Sequence, residues 1–265
     1  MIIPAGAPRL DVALALQRIV TVFWHDFAPI VVLGFLMSTI PQVILAQVGS
    51  HSGSTITATF GGMLRVLYVV IVTHGTLARL NGHPLGAQAF VRAGIAASPR
   101  GLSVALLLGA AVVVLLVGLL LAGLAGPLAL VVQSAVLVAG FAAAVVVAPA
   151  VPVALVERLT PLPALARAAM LTRGSRGGVA VVLAVFVLTV VPARMVIAAT
   201  VYGVWATTDH VAAVDAAMTM FSPGLWLLAL FDLLAWAVGA VMPGVVYAGL
   251  VRDLSRRPSP RATTK

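Results

Sequence analysis

Cysteine is absent from this chain of 265 residues, which excludes disulfide bonds, thiolate nucleophiles and cysteine-ligated metal sites. Acidic residues are scarce too: Asp and Glu number seven, Glu157 is the only Glu, and charged residues make up 9% of the chain. The spacings Gly-x-Ser-x-Gly, His-Glu-x-x-His and Gly-x-Gly-x-x-Gly do not occur, and neither does a P-loop. The sequence therefore predicts no enzyme, no cofactor and no metal site.

Apolar residues dominate what is present. They form 62% of the chain, its mean hydropathy is +1.16, and soluble domains have roughly 45–50%. Because a spanning helix needs about 20 mostly apolar residues, the sequence predicts an all-α integral membrane protein with six transmembrane helices. Pro149, Pro152 and Pro192 predict kinks, or spans that begin outside the hydrocarbon. The predicted spans are 27–48, 59–80, 102–124, 127–156, 178–207 and 225–250.

The basic residues predict the orientation. The formal net charge is +9, from 16 Lys and Arg against seven acids. All except Arg65 and Arg194 precede span one, follow span six, or lie at or between spans two and three or four and five. The segments 49–58, 125–126 and 208–224 contain none. Because cytoplasmic loops retain Lys and Arg, we expect a multi-pass protein of the bacterial inner membrane with both termini cytoplasmic, no removable signal peptide and no nucleic-acid partner.

Three similar segments suggest an internal repeat. Pro8, Pro84 and Pro161 are 76 and 77 residues apart, and each precedes an Ala-rich segment with a central Arg: Arg18, Arg92 and Arg167. We predict one membrane domain, 1–251, with units 8–83, 84–160 and 161–251. Each unit is a cytoplasmic amphipathic helix followed by a spanning hairpin. Chance similarity of Ala-rich helices is the alternative, and the basic tail 252–265 is predicted to be disordered.

The first of these short helices is clearly amphipathic. Val12, Leu16, Ile19 and Phe23 form an apolar stripe, while Asp11, Arg18 and His25 recur on another face. Such a helix is typical of the membrane interface, with its apolar face in the acyl boundary and basic groups toward anionic headgroups. For the other two copies, packing beneath the bundle is as good an interpretation as lying on the lipid surface.

Several residues near this face are candidates for lipid contact. For Arg173 and Arg176 there are two interpretations: they contact lipid phosphates, or they only fix the orientation of the chain in the membrane. Glu157, beside Arg158, is predicted to anchor a helix end rather than to act as an acid catalyst. The candidates for the cytoplasmic face or lipid headgroups are Arg18, Arg92, Glu157, Arg167, Arg173 and Arg176.

Charged residues inside the spans form a second set of candidates. Each costs about 2.5–3.5 kcal/mol on insertion scales, which makes it a functional hypothesis by default. Arg65, Arg194 and Asp232 have similar predicted depths in the outer half, and an Arg194–Asp232 pair fits adjacent helices. We expect a polar site for an anionic headgroup or solute, or else a structural ion pair or Arg side chains that snorkel. The candidates for this buried polar site are Arg65, Arg194, Asp232, His74 and Tyr68.

Other polar residues have simpler explanations. His74 is predicted to make an interhelical hydrogen bond rather than to relay protons, and Gln133 and Ser134 to link neighbouring helices. Asp209, His210 and Asp215 lie close together in the segment 208–224, but we expect no metal there.

Residues 148–174 resemble a known pattern. Pro149, Glu157, Pro161, Leu162 and the run Leu171 to Gly174 resemble the bacterial glycerophosphoryl diester phosphodiesterase membrane-domain family and its YciC-like relatives. Residues 10–41 and 241–254 are also similar to that family's first and last spans. Members named for phosphodiesterase activity owe it to a separate soluble domain, so the resemblance implies only a multi-span domain with a role related to lipids.

The sequence thus predicts a non-enzymatic membrane protein that binds or handles lipid, or organises the membrane. The expected partners are membrane lipids, especially anionic headgroups on the cytoplasmic side, together with a membrane-protein partner or further copies of the chain. A small-solute transporter or channel is one alternative, suggested by the repeat and the buried charges. An accessory subunit of a larger membrane complex is the other.

Overall fold

The described part of the chain is helical throughout. A computed structural model describes residues 10–41, 44, 54–123, 126–206 and 223–255, and no strand occurs in them. Phe35–Thr39 continues α2 as a π-helical turn, and Gly126–Leu128 forms a 3-10 turn. The helices are α1 (Val12–His25), α2 (Phe27–Gly34), α3 (Ser54–Leu80), α4 (Ala87–Ala122), α5 (Ala129–Val147), α6 (Ala150–Glu157), α7 (Pro161–Thr172), α8 (Arg176–Ala206) and α9 (Pro223–Ser255).

Five helices are long and apolar enough to cross a membrane. They are Gly61–Leu80, Ala87–Ala122, Gly126–Glu157, Arg176–Val201 and Trp226–Arg252. The pair Val12–His25 and Phe27–Thr39, bent by 76°, gives a sixth if it counts as one span. The prediction of an all-helical chain with membrane-spanning helices is therefore confirmed, with five or six spans. Part of the predicted first span, 27–48, lies outside the described residues.

Local chemistry sets several helix ends. The Asp11 carboxylate accepts a hydrogen bond from the backbone N–H of Leu14 at 3.0 Å and so caps the start of α1. Pro161 begins α7, where its missing N–H costs nothing. Arg158, with φ of 55°, ends α6 in the left-handed region. The long fourth apolar run, where Pro149 and Pro152 predicted a kink, is interrupted by a turn at Ala148–Pro149 between α5 and α6.

Most of the packing lies at one end of the bundle, which we call the α1 end. Leu10, just before α1, lies against Gly178 near the start of α8 and against Gly249 near the end of α9. Both glycines permit this close approach. The C-terminal half of α3 is buried here too. Three other spans are much less buried: Ala87–Ala122, Gly126–Glu157 and Arg176–Val201. In each of them, only 6% of the most apolar 18-residue stretch is buried.

The sequence predicted that the apolar stripe of α1 faces lipid, but the structure buries this stripe against protein. Ile19 and Phe23 are buried in the core, and Val12 and Leu16 pack against it. The stripe therefore covers the ends of α8 and α9, which α1 contacts. Amphipathic periodicity identifies an apolar face, but both lipid and a protein surface can bury it.

The second predicted short helix is also different. We expected a turn between it and the third span, but α4 runs unbroken from Ala87 to Ala122 with Pro99 inside. Gly94 lies against Ile71, and Gly101 against Val70, so packing on α3 extends along α4 past the proline. The three predicted copies thus have different local structures, and the repeat stays a prediction.

The last helix extends beyond the predicted domain boundary. α9 continues to Ser255, so the first four residues of the tail 252–265 are helical. Arg252 donates a hydrogen bond to the Leu80 carbonyl at 3.1 Å and ties this end of α9 to the end of α3. The other tail residues, 256–265, lie outside the described residues.

Candidate functional site

An ion pair joins α8 and α9 inside the spans. The Arg194 Nε donates to the Asp232 Oδ1 at 2.8 Å. The Asp232 side chain is only 13% exposed, whereas that of Arg194 is 55% exposed. The predicted pairing of these two residues is confirmed. The Asp232 side chain is therefore much more buried than that of Arg194.

Arg65 of α3 belongs to the same cluster. Its Nε donates to the Ser38 Oγ at 3.3 Å, and its guanidinium carbon lies 5.6 Å from the centre of the Trp236 ring, within the range of a cation–π contact. Asp232 attracts and Arg194 repels the Arg65 charge. We call Arg65, Arg194, Asp232, Ser38 and Trp236 the polar cluster.

Ser38 and Trp236 were missed in the sequence. Trp236 lies one turn after Asp232, and residues four apart share a helix face, so this spacing could have indicated it. Ser38 lies in the π-helical turn Phe35–Thr39. Such turns often occur at functional sites, but nothing in the sequence marks this one.

The depth of the polar cluster follows from the helix ends. Arg65 lies eleven residues after Ser54, Asp232 nine after Pro223 and Arg194 twelve before Ala206, where their helices begin or end. At 1.5 Å per residue they lie about 14–18 Å from these helix ends. These helix ends are at the end of the bundle opposite the α1 end.

The other intramembrane candidates lie elsewhere. Tyr68 is fully buried and donates to the Ile30 carbonyl at 3.2 Å, so it belongs to the core between α2 and α3. His74 is half-buried, and its ring makes no hydrogen bond within the described residues, so the expected interhelical bond is not found there. Gln133 donates to the Leu119 carbonyl at 3.4 Å and links α4 to α5 as predicted. Ser134 is exposed.

A second ion pair lies at the α1 end, and sequence reasoning missed it. Asp26 separates α1 from α2, and both of its carboxylate oxygens accept hydrogen bonds from Arg79 near the end of α3. The side chain of Asp26 is 6% exposed and that of Arg79 is 26% exposed. A bidentate pair of this kind fixes both distance and orientation. It holds the bend between α1 and α2 against α3.

Two of the predicted cytoplasmic-face residues pair with each other. The Arg167 Nε of α7 donates to the Glu157 carboxylate at 3.1 Å, at the end of α6. Glu157 thus contacts the following helix, in line with its predicted role as an anchor. Arg92, Arg173 and Arg176 are exposed, and Arg18 is half-buried. All four lie on helices or turns that meet at the α1 end.

Three aromatic rings surround the bend between α1 and α2. Trp24 stacks on Phe27, with ring centres 5.4 Å apart and planes 23° apart, and Phe23 meets Phe27 edge-on. Trp24 is 64% exposed and Phe27 is 36% exposed, whereas Phe23 is buried. The bend therefore presents a flat aromatic surface outside the bundle.

The described residues contain no group of three or more His, Asp or Glu that could hold a metal ion. Asp209, His210 and Asp215 lie outside the described residues. Comparison of the chain with protein-family models, curated proteins and solved structures found no match.

Proposed function

We propose that this chain is a non-enzymatic multi-pass protein of the bacterial inner membrane that binds anionic phospholipid at its α1 end. The observation that carries the proposal is the exposed stack of Trp24 on Phe27 at the 76° bend between α1 and α2. Trp and Tyr are enriched at membrane interfaces, where an apolar ring meets the headgroups. A ring of this type, exposed where a span begins, marks the depth of that interface.

The direction of α1 supports the same placement. A bend of 76° sets α1 nearly perpendicular to α2, so α1 lies close to the membrane plane if α2 follows the spans. Its apolar stripe is occupied by α8 and α9, which leaves the flank with Val20 and Trp24 exposed. That flank supplies the lipid contact which the stripe does not.

Charge supplies the preference for anionic lipid. Arg92, Arg173 and Arg176 are exposed at the α1 end, and each basic residue near an anionic surface contributes about 1 kcal/mol at low salt. Two acidic side chains at this end are held in ion pairs, Asp26 with Arg79 and Glu157 with Arg167. By the positive-inside rule, these exposed arginines support a cytoplasmic position for the α1 end.

The test is lipid selectivity around the full chain in bilayers. We expect spin-labelled phosphatidylglycerol to be immobilised by the protein several-fold more than spin-labelled phosphatidylcholine, because of the basic α1 end. Replacing Arg92, Arg173 and Arg176 together by Gln should remove most of that preference, and added salt should reduce it. Arg194→Gln, at the opposite end, is the matched control and should keep this salt-sensitive preference. Equal immobilisation of both lipids by the wild-type chain would refute the proposal.

We also propose that the chain is related to the membrane-domain family named above, which fits a role in lipid handling. The transporter alternative has its own readout, since solute flux in proteoliposomes that Asp232→Asn abolishes would support it. Co-purification of a stoichiometric membrane protein in mild detergent would favour an accessory subunit instead.

A further inference from the structure

We propose that Glu157, Arg167 and Tyr247 form a site for a phosphoethanolamine group, in which a phosphate and an ammonium lie close together. We call these three residues the zwitterion site. The inference rests on the proposed placement of the α1 end among lipid headgroups, and it adds a ligand that has no net charge.

The Tyr247 hydroxyl lacks a partner where a buried hydroxyl normally has one. Tyr247 of α9 is 7% exposed, and its hydroxyl makes no hydrogen bond within the described residues. Buried tyrosine hydroxyls usually find a partner. The charges of Glu157 and Arg167 both act on this hydroxyl, so the three groups lie close together. The hydroxyl is therefore a donor available to a ligand beside the ion pair.

Arg167 also has donors left for a ligand. Its Nε donates to Glu157 at 3.1 Å, while its two Nη groups make no hydrogen bond in the described part of the chain. The side chain is 43% exposed. A guanidinium is a planar fork of five N–H donors that suits phosphate oxygens. The Nη groups of Arg167 and the Tyr247 hydroxyl can thus donate to the same phosphate.

Glu157 supplies the acceptor for an ammonium. Its side chain is 27% exposed, and a carboxylate has about four acceptor positions, so the bond from the Arg167 Nε leaves others open. An anion would be repelled by Glu157, and a cation by Arg167. With one charge of each sign, the site matches a ligand that carries both.

The position of the ion pair favours a lipid as the source of this group. Glu157 is the last residue of α6 and of the span Gly126–Glu157, and α7, which carries Arg167, is not one of the spanning helices. The pair therefore lies where the spans end. Val156, next to Glu157, is 47% exposed and offers an apolar contact to the glycerol and acyl part of a lipid. A soluble phosphoethanolamine compound has no such part.

The experiment is native mass spectrometry of the full chain in detergent, titrated with phosphatidylethanolamine, phosphatidylcholine or soluble glycerophosphoethanolamine. Neither lipid has a net charge, but the trimethylammonium of phosphatidylcholine has no N–H to donate. We expect phosphatidylethanolamine to bind about tenfold more tightly than phosphatidylcholine, as a charge-assisted hydrogen bond to Glu157 implies.

The variants separate the three roles. Glu157→Gln should remove most of the preference for phosphatidylethanolamine. Arg167→Gln should weaken the binding of both lipids about tenfold, and Tyr247→Phe, which removes only the hydroxyl, should weaken both several-fold. Arg92→Gln, an exposed Arg at the same end, is the matched control and should change neither. If the ion pair only orients α7, Glu157→Gln should affect both lipids equally.

Equal binding of the two lipids by the wild-type chain, or a preference that Glu157→Gln leaves unchanged, would overturn the site. Glycerophosphoethanolamine that displaces the lipid at similar concentrations would overturn the lipid as occupant. The proposed function fails separately, because it is tested by the preference for phosphatidylglycerol and its dependence on Arg92, Arg173 and Arg176. That preference would persist if the zwitterion site were absent.

Discussion

Burial separates two ion pairs that look alike in the sequence. Asp26 and Arg79 have side chains 6% and 26% exposed, whereas Glu157 and Arg167 have 27% and 43%. Removing one partner of a buried pair leaves a charge without compensation, at a cost of about 3–5 kcal/mol. An exposed pair contributes about 0–1 kcal/mol. The first pair should therefore stabilise the fold, and the second should mainly orient α7.

We expect Asp26→Asn to lower the free energy of unfolding by about 3 kcal/mol and Glu157→Gln by less than about 1 kcal/mol. Unfolding of the full chain in mixed micelles with increasing dodecyl sulfate measures both. Asp26→Asn with Arg79→Gln should recover part of the loss, since the unpaired guanidinium is then gone. Equal effects of Asp26→Asn and Glu157→Gln would contradict this assignment.

The residues that sequence reasoning found and missed differ in their surroundings. Arg194 and Asp232 interrupt apolar runs. Because a charge is costly in hydrocarbon, such residues are easy to recognise in the sequence, and their positions on adjacent spans suggest that they pair. Asp26 and Arg79 lie at the ends of apolar runs, where charge is ordinary, and 53 positions separate them. Only the packing of α2 against α3 brings them together.

Among the helices, α4 shows how packing overrides local signals. Pro99 and Gly101 usually predict a break, yet the helix continues because Phe90, Gly94 and Gly101 all pack on α3. Hydropathy predicted the span itself well. It could not predict whether the preceding segment joins that span, since this depends on small residues matched across two helices.

We expect Gly94→Ala to destabilise the chain by about 1–3 kcal/mol through overpacking. A Cβ at this position would lie 3.0 Å from the Ile71 Cα, and backbone cannot move aside as easily as a flexible side chain. Gly109→Ala on the same helix has nothing within 4 Å of its added Cβ and should be neutral or slightly stabilising. Unfolding in mixed micelles compares the two, and the prediction fails if Gly94→Ala is as stable as Gly109→Ala.

At the scale of the whole molecule, burial and charge are both asymmetric. The α1 end holds the close packing and the exposed basic residues, whereas α4, α5 and α8 expose large apolar side chains such as Val114, Leu130 and Leu188 toward the other end. In water such a surface would aggregate, and in a bilayer it contacts acyl chains. The apolar surface fits a bundle inserted in a membrane, and the exposed basic residues agree with the proposed cytoplasmic position of the α1 end.

Cysteine labelling in intact spheroplasts tests this arrangement most directly, because the chain has no cysteine of its own. Leu162→Cys, at an exposed position at the start of α7, and Pro127→Cys, in the exposed turn before α5, would each be treated with a membrane-impermeant maleimide. Lysis before labelling is the control for reactivity. We expect Pro127→Cys to react in intact cells and Leu162→Cys to react only after lysis. Labelling of Leu162→Cys from outside, with Pro127→Cys protected until lysis, would contradict the account.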